Sequence, residues 1–137
     1  MTASSSLVLA VATGSAVGGV ARFLLTDAVQ QRSVSAFPVG TLVVNVVGCL
    51  ALGFIMQLAL DTGELSPTAR ALLTTGFCGG FTTFSTFSWE TLALIQAGSL
   101  RRAAFNALGS VTFGLAAIWI GMLGGRLLLG ALRKGGT

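Results

Sequence analysis

Gly76-Phe77-Cys78-Gly79-Gly80-Phe81-Thr82-Thr83-Phe84-Ser85-Thr86-Phe87-Ser88-Trp89-Glu90 is the stretch on which the fold turns. It lies inside an apolar run, yet five of the seven residues from Thr82 to Ser88 carry a hydroxyl. Lipid offers no hydrogen bonds, so backbone of this kind must be satisfied internally or line a cavity. The Gly79-Gly80 pair can relax a helix, and the Thr pair after it can supply replacement hydrogen bonds. A spanning helix interrupted at mid-membrane exposes carbonyls and amide ends, and transporters bind ions at such places. The spacing therefore predicts a broken transmembrane helix with an ion path at the break.

The rest of the chain agrees with a membrane setting. Its 137 residues suffice for one domain, 53 % are hydrophobic and only 9 % are charged. A soluble domain carries roughly 25 % charged residues, and eight basic plus four acidic side chains cannot cover the surface of one this size. Four stretches meet the length of about 20 apolar residues that a crossing helix requires. They run from about Ser6 to Thr26, Gly40 to Leu60, Thr68 to Ala97 and Ala103 to Leu129. Asp27 to Pro38 reads as a polar connection, Asp61 to Pro67 as a turn, and Gly98 to Arg102 as a very short one. Short connections make neighbours antiparallel. The apolar run continues past Leu9-Ala10-Val11-Ala12, and no Lys or Arg precedes it, so the first span is expected to be retained rather than cleaved.

Several function classes fall away. The chain has no His and no Tyr, which removes the usual general base and the commonest metal ligand; no nucleophile, base or metal cluster argues for an enzyme. Cys49 and Cys78 lie in apolar runs without a partner at metal-ligand spacing and read as small buried hydrophobes. The basic residues behind the net charge of +4 are spread along the chain, so no nucleic-acid partner is implied; these residues fit headgroup contacts and topology. Arg70, Arg126, Arg133 and Lys134 fall on one side of a four-span topology, and Arg22, Arg32, Arg101 and Arg102 on the other. That balance gives no preferred orientation. It leaves two readings open, a weak bias hidden by the loop boundaries or insertion in both orientations.

Small residues four apart, Gly14 and Gly18, Gly76 and Gly80, Ser110 and Gly114, Gly121 and Gly125, let helix backbones approach closely. A bundle of four thin helices is expected to self-associate. In the third span, helical spacing places Phe84 and Phe87 on one face beside hydroxyl rows Thr82, Ser85, Ser88 and Thr83, Thr86. Ring edges are positive and can coordinate a small anion, whereas a carbonyl cluster suits a cation. Asn45, deep in the second span, either donates to an ion or makes an interhelical hydrogen bond. Asn106 and Ser110, four apart, can extend a donor row. Arg22 either snorkels to headgroups or gives a vestibule a positive potential. Glu90 and Trp89 read as an interfacial pair at the far mouth.

These motifs resemble the Fluc (CrcB) family of fluoride channels over essentially the whole chain. The segment Gly76 to Ser88 is similar to the family's third-span signature almost residue for residue. Pro38-Val39-Gly40-Thr41-Leu42-Val43-Val44-Asn45-Val46-Val47-Gly48, followed by Gly53, fits the second-span pattern. Gly14 to Phe23 resembles the first, with Ser15 and Gly19 departing from the usual Gly and Ala. The resemblance implies an all-α integral membrane protein in the cell (inner or plasma) membrane. Its four helices, with the third broken, would form an antiparallel, dual-topology homodimer with two fluoride pores among membrane lipid. It implies a pore lined by Phe84 and Phe87, a donor at Asn45, a polar track at Ser85, Thr86 and Ser110, and a vestibule at Arg22. It further implies a structural sodium ion at the dimer centre, held by main-chain carbonyls of Gly79 and Thr82. Asn106 stands where the family often carries a tyrosine. The competing reading is a small multidrug-type exporter, also four-span and dual-topology, which needs a membrane-embedded carboxylate that the first span lacks; a structural subunit of a larger membrane complex is a further one.

Overall fold

A computed structural model describes residues 3–33, 37–63 and 65–135. The expected connections at Asp27–Pro38 and Asp61–Pro67 run partly outside the described residues, at 34–36 and at Glu64. Helix α1 spans Ala3–Gln30 and α2 spans Val39–Thr62. The third crossing is composite. It comprises α3 (Pro67–Ala71), a π-helical segment Leu72–Cys78, the single turn α4 (Gly79–Phe81) and, after a break, α5 (Phe84–Gln96). Helix α6 spans Leu100–Gly135. The first and last helices exceed the expected spans at both ends. The chain is a multi-pass membrane protein: α1, α2 and α6 are each long and apolar enough to cross a bilayer, and the third crossing is shared between shorter pieces.

The element ends follow local chemistry. Ser66 caps α3, its Oγ accepting from Ala69 N–H at 3.2 Å, with Pro67 at the first helical position, where its missing N–H costs nothing. Helix α5 stops at Gly98, whose φ of 71° is open to glycine without a Cβ penalty. There Ser99 N–H reaches Leu94 carbonyl and Gly98 N–H reaches Ile95 carbonyl, both at 2.9 Å, which turns the chain at once into α6. Gln30 ties the end of α1 to the start of α2, donating to Phe37 carbonyl at 3.3 Å and accepting from Gly40 N–H at 3.2 Å.

Small-residue faces set which helices touch. A Cβ on Gly14 would lie 2.9 Å from Gly76 Cα, and one on Gly80 would lie 2.8 Å from Ser15 Cα. The two glycine pairs of α1 and the third crossing therefore face each other, and the two elements run parallel. Gly53 packs on Ile118, Gly121 on Leu50 and Phe54, and Gly125 on Gln57, so α2 and α6 also run parallel. Asn45 meets Thr83, and Thr41 meets Glu90, which makes α2 antiparallel to the third crossing. The result is an up-down-up-down bundle. Its surface is apolar: Phe23, Leu108, Leu115 and Trp119 are all exposed, while Thr41, Gln57, Thr83 and Asn106 are buried. That inversion is what a lipid solvent demands, since polar groups find partners only inside.

Candidate functional site

The third crossing opens at Thr82 and Thr83, not at the glycine pair. Gly79 keeps helical angles (φ −66°, ψ −36°) and Gly80 lies within α4. Thr82 (φ −82°, ψ 160°) and Thr83 (φ −148°, ψ 117°) are extended. The physical reason is where their partners lie. Asn45 on α2 clamps Thr83 with both ends of its amide, Oδ1 accepting from Thr83 N–H at 2.8 Å and Nδ2 donating to Thr83 carbonyl at 3.1 Å. Arg22 Nη1 donates to the Thr82 carbonyl at 3.3 Å. Gly80 serves instead as a close-packing point against Ser15 of α1, while Gly79 faces the cavity.

Extension at Thr82 and Thr83 also revises the hydroxyl rows, because residues outside a helix do not follow its spacing. Thr82 Oγ1 turns back to the Cys78 carbonyl at 2.9 Å. Thr83 becomes the N-cap of α5: its Oγ1 accepts from Thr86 N–H at 3.2 Å and donates to Thr86 Oγ1 at 3.0 Å, with Ser85 Oγ 3.3 Å away. Ser88 returns its proton to the Phe84 carbonyl at 2.9 Å. The expected rows are thus a capping cluster followed by back-bonded hydroxyls.

A cavity of about 350 Å³ lies against the break. It brings together Asn45, Gly79, Thr82, Phe84, Phe87 and Ser110. The rings of Phe84 and Phe87 sit 5.6 Å apart at 44°, so their edges and faces are offset. Ser110 Oγ is buried and, among the described residues, has no hydrogen-bond partner. None of the described lining residues is charged. Ser85 and Thr86 stand beside the cavity on exposed positions of α5 but do not line it. Arg22 lies within α1, about two turns before its end, and its charge is one carbonyl removed from the cavity wall. It therefore leaves the tally of flanking cations, which becomes four against three and still sets no orientation.

Glu90 is placed differently from the expected interfacial pair. Trp89 is exposed, but Glu90 turns inward, its Oε1 accepting the Thr41 hydroxyl proton at 2.8 Å and its Oε2 buried without a partner among the described residues. Adjacent residues on a helix point about 100° apart, so the two cannot share one environment. Sequence reasoning also missed Thr83 as the anchored residue and the pairing of Thr91 with Asn106 at 2.8 Å. For Thr83 a signal existed: an amide side chain at span depth needs a backbone partner, and a Thr pair breaking a helix offers one. Among the described residues there is no group of three or more His, Cys, Asp or Glu able to hold a metal.

Comparison with known proteins matches this architecture to one family. The family described as "CrcB-like protein, Camphor Resistance (CrcB)" matches residues 9–122. The curated "Fluoride-specific ion channel FluC" of Geobacter sulfurreducens is 48 % identical over 121 residues, 88 % of this chain and 98 % of that protein. The protein of the same name from Solibacter usitatus is 46 % identical over 115 residues, 84 % of this chain and 94 % of its own length. That from Chlorobaculum tepidum is 48 % identical over 116 residues, 85 % and 91 % respectively. With the match covering the break, its asparagine clamp and the phenylalanine pair together, the chain belongs to the CrcB family.

Proposed function

We propose that the chain is a fluoride-selective channel that lets fluoride leave the cytoplasm passively. The observation that carries this reading is the cavity in which two phenylalanine rings, the Asn45 amide and an unpartnered Ser110 hydroxyl meet with no charged residue among the described lining. Fluoride is small and strongly hydrated, so a pore must replace its water with several donors. One Asn45 N–H is committed to Thr83, and the amide carries a second. The Ser110 hydroxyl has no partner to lose among the described residues, and ring edges attract an anion without trapping it. Arg22 nearby raises the local potential, which favours anion entry. Passive conduction would discharge fluoride that entered as the neutral acid. The relatives' name, "Fluoride-specific ion channel FluC", supports the same reading.

The channel is proposed to be an antiparallel homodimer. Phe84 is 79 % exposed in the single chain, so one copy supplies only part of a pore wall, and a second copy would close it. A structural sodium ion at the dimer centre fits the donors present. In a continuous helix the Thr83 N–H would bond the Gly79 carbonyl, but Asn45 holds it. The Thr82 carbonyl takes a long bond from Arg22, which leaves a lone pair. Hard oxygen donors of this kind suit sodium, and the second copy would supply the matching pair. The ion would join two subunits and take no part in the anion path.

A proton-coupled exporter of cations needs an embedded carboxylate, and Glu90 provides one. It lies, however, in a separate, second cavity with Thr26, Gln30 and Pro38, away from the break. Liposomes containing only this protein separate the readings: fluoride efflux with chloride retained is expected, and chloride passing as readily as fluoride would sink the selectivity claim. Phe84→Ile and Phe87→Ile should each slow fluoride efflux about three- to tenfold, the worth of one ring interaction, with the dimer intact. Unchanged efflux would remove both rings from the path.

A further inference from the structure

Asn106 lies one helical turn before Ser110 on α6 and is 1 % exposed. It does not line the cavity that Ser110 and Phe87 share. Its Nδ2 donates to Thr91 Oγ1 at 2.8 Å, and the Thr91 hydroxyl passes its own proton to the Phe87 carbonyl oxygen at 2.8 Å. A hydroxyl has one proton to give and lone pairs to receive, so the Thr91 oxygen fills both roles. A two-bond chain thus runs from α6 to the backbone of a cavity-lining ring.

The need for such a tie follows from the break. Across Thr82 and Thr83 the helical hydrogen-bond ladder is interrupted, so α4 does not transmit register to α5. Helix α5 is held at its start by the Asn45 clamp and at its end by the Gly98 turn. Between them, one turn after Phe87, stands the Asn106–Thr91 bond to α6, beside the Glu90–Thr41 bond to α2. In lipid there is no hydrophobic drive between helices, and side-chain hydrogen bonds help set their relative positions.

We propose that Asn106 is a positioning residue: through Thr91 it fixes the height of Phe87 on α5 against Ser110 on α6, and so the gap between ring edge and hydroxyl that selects the permeating anion. This rests on the fluoride-channel reading, and it makes Asn106 a strut rather than a group that touches the ion. The experiment compares fluoride and chloride efflux from liposomes for the wild type, Asn106→Leu, Thr91→Val, the double variant and Thr91→Ser. Loss of the strut should lower the fluoride-to-chloride ratio about tenfold in either single variant, the scale of one lost buried hydrogen bond. The double variant should lose no more than either single one, because both remove the same tie. Thr91→Ser keeps the hydroxyl and should restore the ratio. An unchanged ratio in Asn106→Leu, or additive losses in the double variant, would overturn the proposal, the latter by pointing to direct contact with the ion.

A second readout does not depend on conduction. With 4-fluorophenylalanine at position 87, the ¹⁹F resonance of the solubilised protein should shift or broaden in both Asn106→Leu and Thr91→Val and return in Thr91→Ser. An identical resonance in all four proteins would overturn the strut. Wild-type protein that conducts no fluoride would refute the channel reading instead, while the ¹⁹F comparison would still decide the strut.

Discussion

Asn45→Leu is expected to lower fluoride efflux from liposomes roughly a hundredfold, the largest loss of any single substitution at the site. Leucine keeps the branching and heavy-atom count of asparagine but removes both bonds to Thr83, at 2.8 and 3.1 Å. The Thr83 N–H and carbonyl would then stand unpaired at membrane depth, where water cannot replace the lost partner. Each such group costs about 1–3 kcal/mol, so the extended segment should lose its fixed geometry and collapse on the cavity, with efflux down roughly a hundredfold. The Thr83 amide should lose its protection against hydrogen exchange at the same time. Asn45→Asp makes a useful contrast: it keeps the acceptor for Thr83 N–H, loses the donor, and sets a negative charge beside an anion path. Protection should largely survive in this variant while efflux falls. Leucine at position 45 with wild-type efflux and wild-type Thr83 protection would show that the clamp matters to neither.

Gly14→Val should be strongly destabilising although it lies outside the cavity. A Cβ there would stand 2.8 Å from Phe77 N and 2.9 Å from Gly76 Cα, and closer still to the Leu72 carbonyl oxygen. All three are backbone atoms of the third crossing, so no side chain can swing aside. Overpacking by one methylene costs about 1–3 kcal/mol where side chains can adjust; moving α1 off a helix backbone should cost at least about 3 kcal/mol. Thermal unfolding in detergent measures this. Gly19→Ala is the internal control, because a Cβ at that position meets nothing within 4 Å and should leave stability unchanged within about 0.5 kcal/mol. Equal unfolding temperatures for the two variants would refute the packing of α1 on the third crossing.

The same contrast explains which parts of the fold were legible in the chain. Hydropathy marked α1, α2 and α6, the helices long and apolar enough to cross, and the glycine pairs marked faces that touch, because lipid forces apolar length and close packing onto the sequence itself. Hydropathy did not say which pairs meet. Gly14 and Gly18 face Gly76 and Gly80, whereas Gly121 and Gly125 face α2, and spacing alone is the same in both cases. Glu90 was misread for a related reason. Its neighbour Trp89 suggests an interface, but burial against Thr41 follows from the angle between two helices, which no local pattern encodes.

The hydroxyl-rich segment from Gly76 to Glu90 determined by itself that the third crossing is interrupted and polar. Its hydroxyls offer the backbone alternative hydrogen bonds that compete with the helical ladder. Only the tertiary structure decided where the interruption falls. Helical and interhelical partners compete for the Thr83 N–H, and the winner is Asn45, 38 residues away in the chain. The outcome depends on the packing of α2 against the third crossing, a distance in space that periodicity along one helix does not contain. The glycines that looked like the hinge remain helical; the missing side chain of Gly80 serves the contact with Ser15 of α1.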